Sequence, residues 1–72
     1  MPKPLQATID QHEYIDSLLN QKYAYRGAKR ALAVNTWKIK QCERLYLSQF
    51  ADISKNDMEL LIKKLEDANN NT

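Results

Sequence analysis

The spacing of apolar and polar residues along the chain predicts three amphipathic α-helices. The third helix, residues 55–68, has the clearest pattern, because its apolar residues recur at i, i+3, i+4 and i+7. These residues are Met58, Leu61, Ile62 and Leu65. Ser54 is suited to cap the N-terminus of this helix, and Asp57 suits the positive end of the helix dipole. We therefore expect one face of this helix to be buried.

The first helix is predicted over residues 8–24. Thr8 is a suitable N-cap, and Gln11 stands three positions later, where it can complete a capping box. The apolar side of this helix consists of Ile15, Leu18 and Leu19. Gly27 is typical of the residue that follows a helix end, so it separates the first helix from the second.

The central helix, residues 28–51, is long and carries apolar residues on two strips. The main strip consists of Ala28, Leu32, Ile39, Cys42 and Tyr46, and it continues into Phe50 and Ile53. A second strip beside it consists of Ala31, Val34 and Leu45. The side opposite the main strip holds Arg26, Arg30, Ala33, Trp37, Lys40, Gln41 and Arg44. The pattern therefore predicts that the main strip faces the core and that the basic side faces solvent.

Asn35 and Thr36 leave two alternatives open for the middle of this helix. Both are weak helix formers. They therefore either lower the stability of a continuous helix or form a turn that divides it.

With a turn at that point, residues 28–42 resemble a helix-turn-helix motif. The matching positions are Ala28, Leu32, Ala33, Val34, Ile39 and Cys42. The sequence departs from the motif at Ala33, where glycine is usual, and at Lys29, where a small buried alanine is usual. The resemblance implies that the second helix of the motif enters the DNA major groove. The residues it would turn toward DNA are Asn35, Thr36, Trp37, Lys38 and Gln41, with Lys40 and Arg44 near phosphates.

The length of 72 residues predicts a single helical domain, residues 8–68. A flexible arm, residues 1–7, is expected before it, and a disordered tail, residues 69–72, after it. The core of so small a domain supplies only about 3–5 kcal/mol of stability. One cysteine excludes an internal disulfide, and one cysteine with one histidine argues against a closed zinc site. We therefore expect the chain to gain stability as a homodimer.

The sequence contains no apolar run of the length that a signal peptide or a membrane span requires. Together with the lone cysteine, this predicts a protein of the reducing cytoplasm that does not enter membranes.

The net charge of +2 conceals an uneven distribution along the chain. Residues 22–44 contain seven of the 11 lysines and arginines but a single acidic residue, Glu43. A cationic segment that includes a tryptophan is typical of surfaces that contact the phosphates and bases of nucleic acid. The predicted nucleic-acid-binding residues are Arg26, Arg30, Trp37, Lys38, Lys40, Gln41 and Arg44. The leading hypothesis is a small regulator that binds nucleic acid.

The alternative is a protein-interaction module, such as an inhibitor or adaptor, whose cationic face meets an acidic protein surface. Tyrosine is common at protein interfaces, because it combines a large apolar area with a polar tip. The residues predicted at such an interface, or at that of the homodimer, are Tyr14, Leu18, Tyr23, Tyr25, Val34, Leu45 and Tyr46.

Catalysis is not predicted, because three thin helices offer little room for a pocket of convergent groups. Cys42 falls on the apolar strip, where a thiol behaves as a small hydrophobic group. His12 and Asp16 stand at i and i+4, but no second histidine or cysteine lies near them to complete a metal site. Neither a cofactor nor a metal is therefore expected.

Overall fold

The computed structural model describes residues 5–70 and contains three α-helices. They are α1 (Ile9–Lys22), α2 (Arg30–Leu45) and α3 (Lys55–Asn70). Two short 3₁₀ segments, Ala24–Lys29 and Phe50–Asp52, precede α2 and α3. Apart from one isolated β-bridge, the described residues form no β-structure. The predicted all-α bundle of three helices is therefore confirmed.

Both predicted N-caps are formed. The Gln11 N–H donates to Thr8 Oγ1 at 3.1 Å, and the Thr8 N–H donates to Gln11 Oε1 at 3.0 Å, which completes the capping box of α1. At α3, the Asp57 N–H donates to Ser54 Oγ at 3.2 Å. Each bond satisfies an amide that the helix leaves without a partner, so these helices begin close to their predicted positions.

The core lies between α1 and α3. Its buried residues come from these two helices and from the residue before the α3 cap: Ile15, Leu18, Leu19, Ile53, Met58, Leu61 and Leu65. The residues from α1 and α3 belong to the apolar faces that the sequence predicts. These two amphipathic faces therefore meet each other, and α2 packs against the core from the side of α1.

The ends of α1 and α3 differ from the prediction by two residues. α1 ends at Lys22, and α3 extends to Asn70. The side-chain amide of Asn69 donates to the Leu18 carbonyl oxygen at 3.3 Å, which ties the last turn of α3 to α1. The predicted disordered tail is therefore wrong for Asn69 and Asn70, while residues 71–72 lie outside the described residues.

Residues 5–7 are extended and lie against the start of α3. The Ala7 N–H donates to the Ile53 carbonyl oxygen at 2.9 Å, and the Lys55 N–H donates to the Leu5 carbonyl oxygen at 2.8 Å. Gln6 and Ser54 form an antiparallel bridge between these two bonds. No pattern in the sequence anticipates this pairing of the predicted arm, and residues 1–4 of the arm lie outside the described residues.

The central helix ends at Leu45 and not at residue 51. Tyr46 adopts the left-handed conformation, with φ 56° and ψ 42°, which turns the chain away from the helix axis. The N–H groups of Tyr46 and Leu47 both donate to the Cys42 carbonyl oxygen, the second at 2.8 Å. This cap satisfies a carbonyl at the end of the helix. The prediction that Tyr46, Phe50 and Ile53 continue the apolar strip of α2 is therefore wrong.

α2 continues without a break through Asn35 and Thr36. The Thr36 hydroxyl donates to the Leu32 carbonyl oxygen at 2.9 Å, so its side chain bonds back along the helix and forms no turn. Of the two alternatives for this dipeptide, the continuous helix is correct. The helix-turn-helix interpretation of residues 28–42 is wrong, because the motif requires a turn at this point.

The face of α2 that packs on the core is not the predicted one. The residues of α2 packed against the core are Val34, Trp37 and Leu45. Leu32 and Ile39, from the strip predicted to be buried, are 67% and 59% exposed. The inward face of α2 therefore combines Val34 and Leu45 of the second strip with Trp37 and Gln41, which the pattern had placed on the solvent side. Both strips have helical spacing, so periodicity alone does not choose between them.

Candidate nucleic-acid interface

Six cations of the basic segment, residues 22–44, are exposed at the surface: Lys22, Arg26, Lys29, Arg30, Lys40 and Arg44. None of them forms an ion pair with a carboxylate of residues 5–70. Cations without an internal partner create a positive potential that is available to an anionic ligand. The exposure of Arg26, Arg30, Lys40 and Arg44 agrees with the sequence prediction.

The conformation of Gly27 places Arg26 beside α2. Gly27 has φ 59° and ψ −122°, a combination that L-residues adopt only with strain. The chain turns sharply there, between the 3₁₀ segment and the first turn of α2. As a result, side chains that precede Gly27 share a surface with side chains from the middle of α2.

This turn creates a surface groove of about 350 Å³ between the 3₁₀ segment and α2. The residues that line it are Tyr23, Arg26, Lys29, Leu32, Ala33, Thr36, Trp37 and Lys40. Three of these residues are cations and none is acidic, so the groove carries a net positive charge. We call this set of residues the cationic groove. It combines charged, aliphatic and aromatic groups in one concave surface.

Trp37 is half-buried and connects the cationic groove to the core. Its ring meets the ring of Phe50 edge-on, with centroids 6.0 Å apart and an interplanar angle of 64°. Phe50 makes a similar contact with His12, at 5.8 Å. Trp37 is also one of the residues that line the groove. The predicted outward orientation of Trp37 is therefore correct only in part.

Lys38, predicted to bind nucleic acid, is held by the protein itself. Its Nζ lies 2.7 Å from Asp16 Oδ1, and the same Nζ lies 5.6 Å from the centroid of the Phe50 ring. The Lys38 side chain is 26% exposed. This ion pair between Lys38 and Asp16 joins α2 to α1. A second anion would have to compete with the Asp16 carboxylate for Lys38.

Gln41 also departs from the prediction, because it is 8% exposed and faces inward. Arg30 and Arg44 are exposed but lie outside the cationic groove. They stand near opposite ends of α2, about 21 Å apart along the helix axis. Arg44 borders a separate depression together with Lys64. Of the seven predicted residues, the groove therefore brings together Arg26, Trp37 and Lys40.

Among the other residues that line the groove, Lys29 adds a cation and Tyr23 adds an aromatic ring, and neither was in the predicted nucleic-acid-binding set. Both reach it because of the turn at Gly27, and a turn at this glycine is the sequence signal that could have identified them. Helical periodicity could not have identified Tyr23, because Tyr23 is not part of α2.

The predicted interface residues divide into a buried set and an exposed set. Leu18 is 6% exposed in the core, and Val34 and Leu45 pack against it, so these three are occupied within the single chain. Tyr25 and Tyr46 are 75% and 95% exposed. The Tyr25 ring also lies near the Arg26 guanidinium, 5.2 Å from its centroid.

Tyr14, another predicted interface residue, links α1 to α3. Its hydroxyl donates to Glu66 Oε2 at 2.6 Å, although the side chain is 44% exposed. This hydrogen bond to the Glu66 carboxylate raises the pKa of the Tyr14 phenol above its ordinary value of 10.0, because only the protonated phenol can donate it.

Within residues 5–70, no three side chains of His, Cys, Asp or Glu come together in a group that could hold a metal ion. None of the helices in this part of the chain is long and apolar enough to cross a membrane. Comparisons with protein-family models, curated proteins and solved structures found no match to the chain. The geometry of the surface is therefore the basis for any assignment of function.

Proposed function

We propose that the protein binds nucleic acid, without catalysis, through the cationic groove. The observation that carries this proposal is the cluster of Arg26, Lys29 and Lys40 around one concave surface, with no acidic residue among them. Phosphate contacts supply most of the affinity in non-specific nucleic acid binding, and arginine and lysine are the side chains that make them. The aromatic groups of Trp37 and Tyr23 add a surface on which bases can pack.

The dependence of affinity on salt tests this proposal. Contacts between three cations and three phosphates predict a slope of about −2 to −3 in a plot of log affinity against log salt concentration. Lys40→Glu is expected to weaken binding and to reduce the magnitude of the slope by about one. Fluorescence anisotropy of a labelled oligonucleotide measures both quantities.

Lys63→Glu is the matched control, because it makes the same change in net charge at an exposed position of α3. Lys63 does not line the groove, so its charge acts on a ligand there only through solvent, where salt screens it. Affinity in this variant should therefore stay close to that of the wild type. Absence of binding at low salt, or equal losses in Lys40→Glu and Lys63→Glu, would refute the proposed function.

A second candidate function is the binding of an acidic protein partner. The observation that favours it is the exposure of Leu32 and Ile39, at 67% and 59%, beside the cations of α2. An acidic amphipathic helix would cover these apolar side chains and pair its carboxylates with Lys40 and Arg44. Ile39 does not line the cationic groove, so Ile39→Gln separates the two functions. It should abolish binding of such a partner and leave nucleic acid affinity unchanged.

Homodimer formation stays a prediction for the same exposed apolar strip, and sedimentation equilibrium at micromolar concentration measures it directly. The single cysteine of the sequence supports action in a reducing compartment, which we infer to be the cytoplasm.

A further inference from the structure

The cationic groove and the exposed ridge of α2 differ in chemistry. The exposed ridge of α2 carries Leu32, Ile39 and Glu43, with Leu32 at the edge that it shares with the groove, whereas Lys40 and Lys29 line the groove to one side. A helix that enters the major groove of a duplex presents its projecting ridge to the base edges and to the phosphates on either side of the groove. Leu32 and Ile39 can offer only methyl contacts there, and the Glu43 carboxylate on the same ridge would be repelled by the phosphates. The ridge of α2 is therefore poorly suited to reading a duplex.

The concave shape of the groove restricts the form of nucleic acid that it can hold. At about 350 Å³, the groove is of a size to receive a small group that projects into it. Bases in a duplex are stacked and paired, so they present only their edges to a protein. In a single strand, a base can turn away from its neighbours and place its flat face against a side chain.

The lining of the groove matches this second arrangement. Trp37 and Tyr23 supply aromatic surface, and Leu32 and Ala33 supply aliphatic surface, which together suit the face of a base. The cations Arg26, Lys29 and Lys40 belong to the same groove, where they can reach the phosphates on either side of that base. Charged groups beside an aromatic surface are the combination that binds single strands without strong sequence preference.

We propose that the cationic groove binds single-stranded nucleic acid, with one unstacked base against Trp37 and Tyr23 and with the neighbouring phosphates at Arg26, Lys29 and Lys40. This inference rests on the proposed nucleic acid function and specifies the form of nucleic acid that the groove accepts.

The test compares three labelled ligands of equal length with the full chain at low salt: oligothymidylate, a duplex, and an abasic strand that keeps the phosphates but lacks bases. Oligothymidylate is expected to bind at least about tenfold more tightly than the duplex. Removing the bases should weaken binding by about 5- to 150-fold, which is the range for the loss of one base–aromatic contact. Because Trp37 is the single tryptophan of the sequence, its fluorescence should change with oligothymidylate and change less with the abasic strand.

Tyr23→Leu gives an independent test in the protein, with Tyr46→Leu as the matched control. Tyr46 is 95% exposed and lies outside the groove, so its replacement should leave affinity unchanged, whereas Tyr23→Leu should weaken the binding of oligothymidylate. Since Tyr23 also packs against the core, circular dichroism checks that the variant is folded. The ligand comparison uses the wild-type chain and does not depend on this variant.

The outcomes separate the two proposals. If none of the three ligands binds at low salt, the nucleic acid function itself is refuted. If the duplex binds as tightly as oligothymidylate, or if the abasic strand binds as tightly as the strand with bases, nucleic acid binding stands and the single-strand inference is overturned.

Discussion

Tyr46 holds the chain at the end of α2 in a conformation that glycine adopts at lower cost. Its φ and ψ of 56° and 42° are left-handed, and its side chain is 95% exposed. The left-handed conformation costs an L-residue about 1–2 kcal/mol, while glycine increases the conformational freedom of the unfolded chain by about 0.5–1 kcal/mol. Because almost no side-chain contact is lost, Tyr46→Gly should raise the free energy of unfolding by about 0.5–1 kcal/mol.

Urea and thermal unfolding, followed by circular dichroism, measure this change. The urea midpoint should rise with an unchanged m-value, and Tm should rise by about 2–8 °C. Tyr46→Ala is the matched control, because it removes the same ring but keeps a residue with a Cβ in the left-handed conformation. Its stability should stay close to that of the wild type. A loss of stability in Tyr46→Gly, or an equal gain in both variants, would refute this reasoning.

Two further predictions test the orientation of the helices and the contact between α1 and α3. Leu19 is fully buried and Ile39 is 59% exposed. In urea unfolding, Leu19→Ala should therefore lower the free energy of unfolding by about 2–5 kcal/mol, and Ile39→Ala by less than about 1 kcal/mol. Similar losses in the two variants would contradict the observed orientation of α2. The raised pKa of Tyr14 means that the folded state holds the phenol proton more tightly than the unfolded chain, so this contribution to stability is present below pH 10.0 and is lost as the pH rises through the raised pKa. Tyr14→Phe should therefore lose less stability than the wild type between neutral and strongly alkaline pH, and an unchanged alkaline loss would show that Glu66 does not act through this phenol.

The sequence predicts α1 and α3 well, because each has one apolar face and a recognisable cap. Thr8 with Gln11, and Ser54 with Asp57, form the predicted hydrogen bonds. The buried residues of both helices follow directly from their periodicity, since each helix has a single face to bury.

The orientation and end of α2 could not be predicted in the same way. This helix carries two apolar strips, and the choice between them depends on contacts with distant residues, such as Trp37 with Phe50 and Lys38 with Asp16. Its end at Leu45 lacks the usual sequence signal, because a tyrosine occupies the left-handed position where glycine is common.

The candidate site was predicted in part for the same reasons. Exposed cations such as Arg26 and Lys40 could be identified, because charged residues rarely enter a core without a partner. The groove itself depends on the turn at Gly27, which brings Tyr23 and Lys29 to α2. Local periodicity carries no information about which side chains meet across such a turn.

The most direct test of the central claim is a titration of isotope-labelled protein with oligothymidylate, followed residue by residue through amide chemical shifts. Binding in the cationic groove should give shifts concentrated in residues 23–40 and in the indole N–H of Trp37, with little change at buried residues of the core such as Ile15 and Met58. Changes centred on α1 and α3, or no change at saturating ligand, would contradict it.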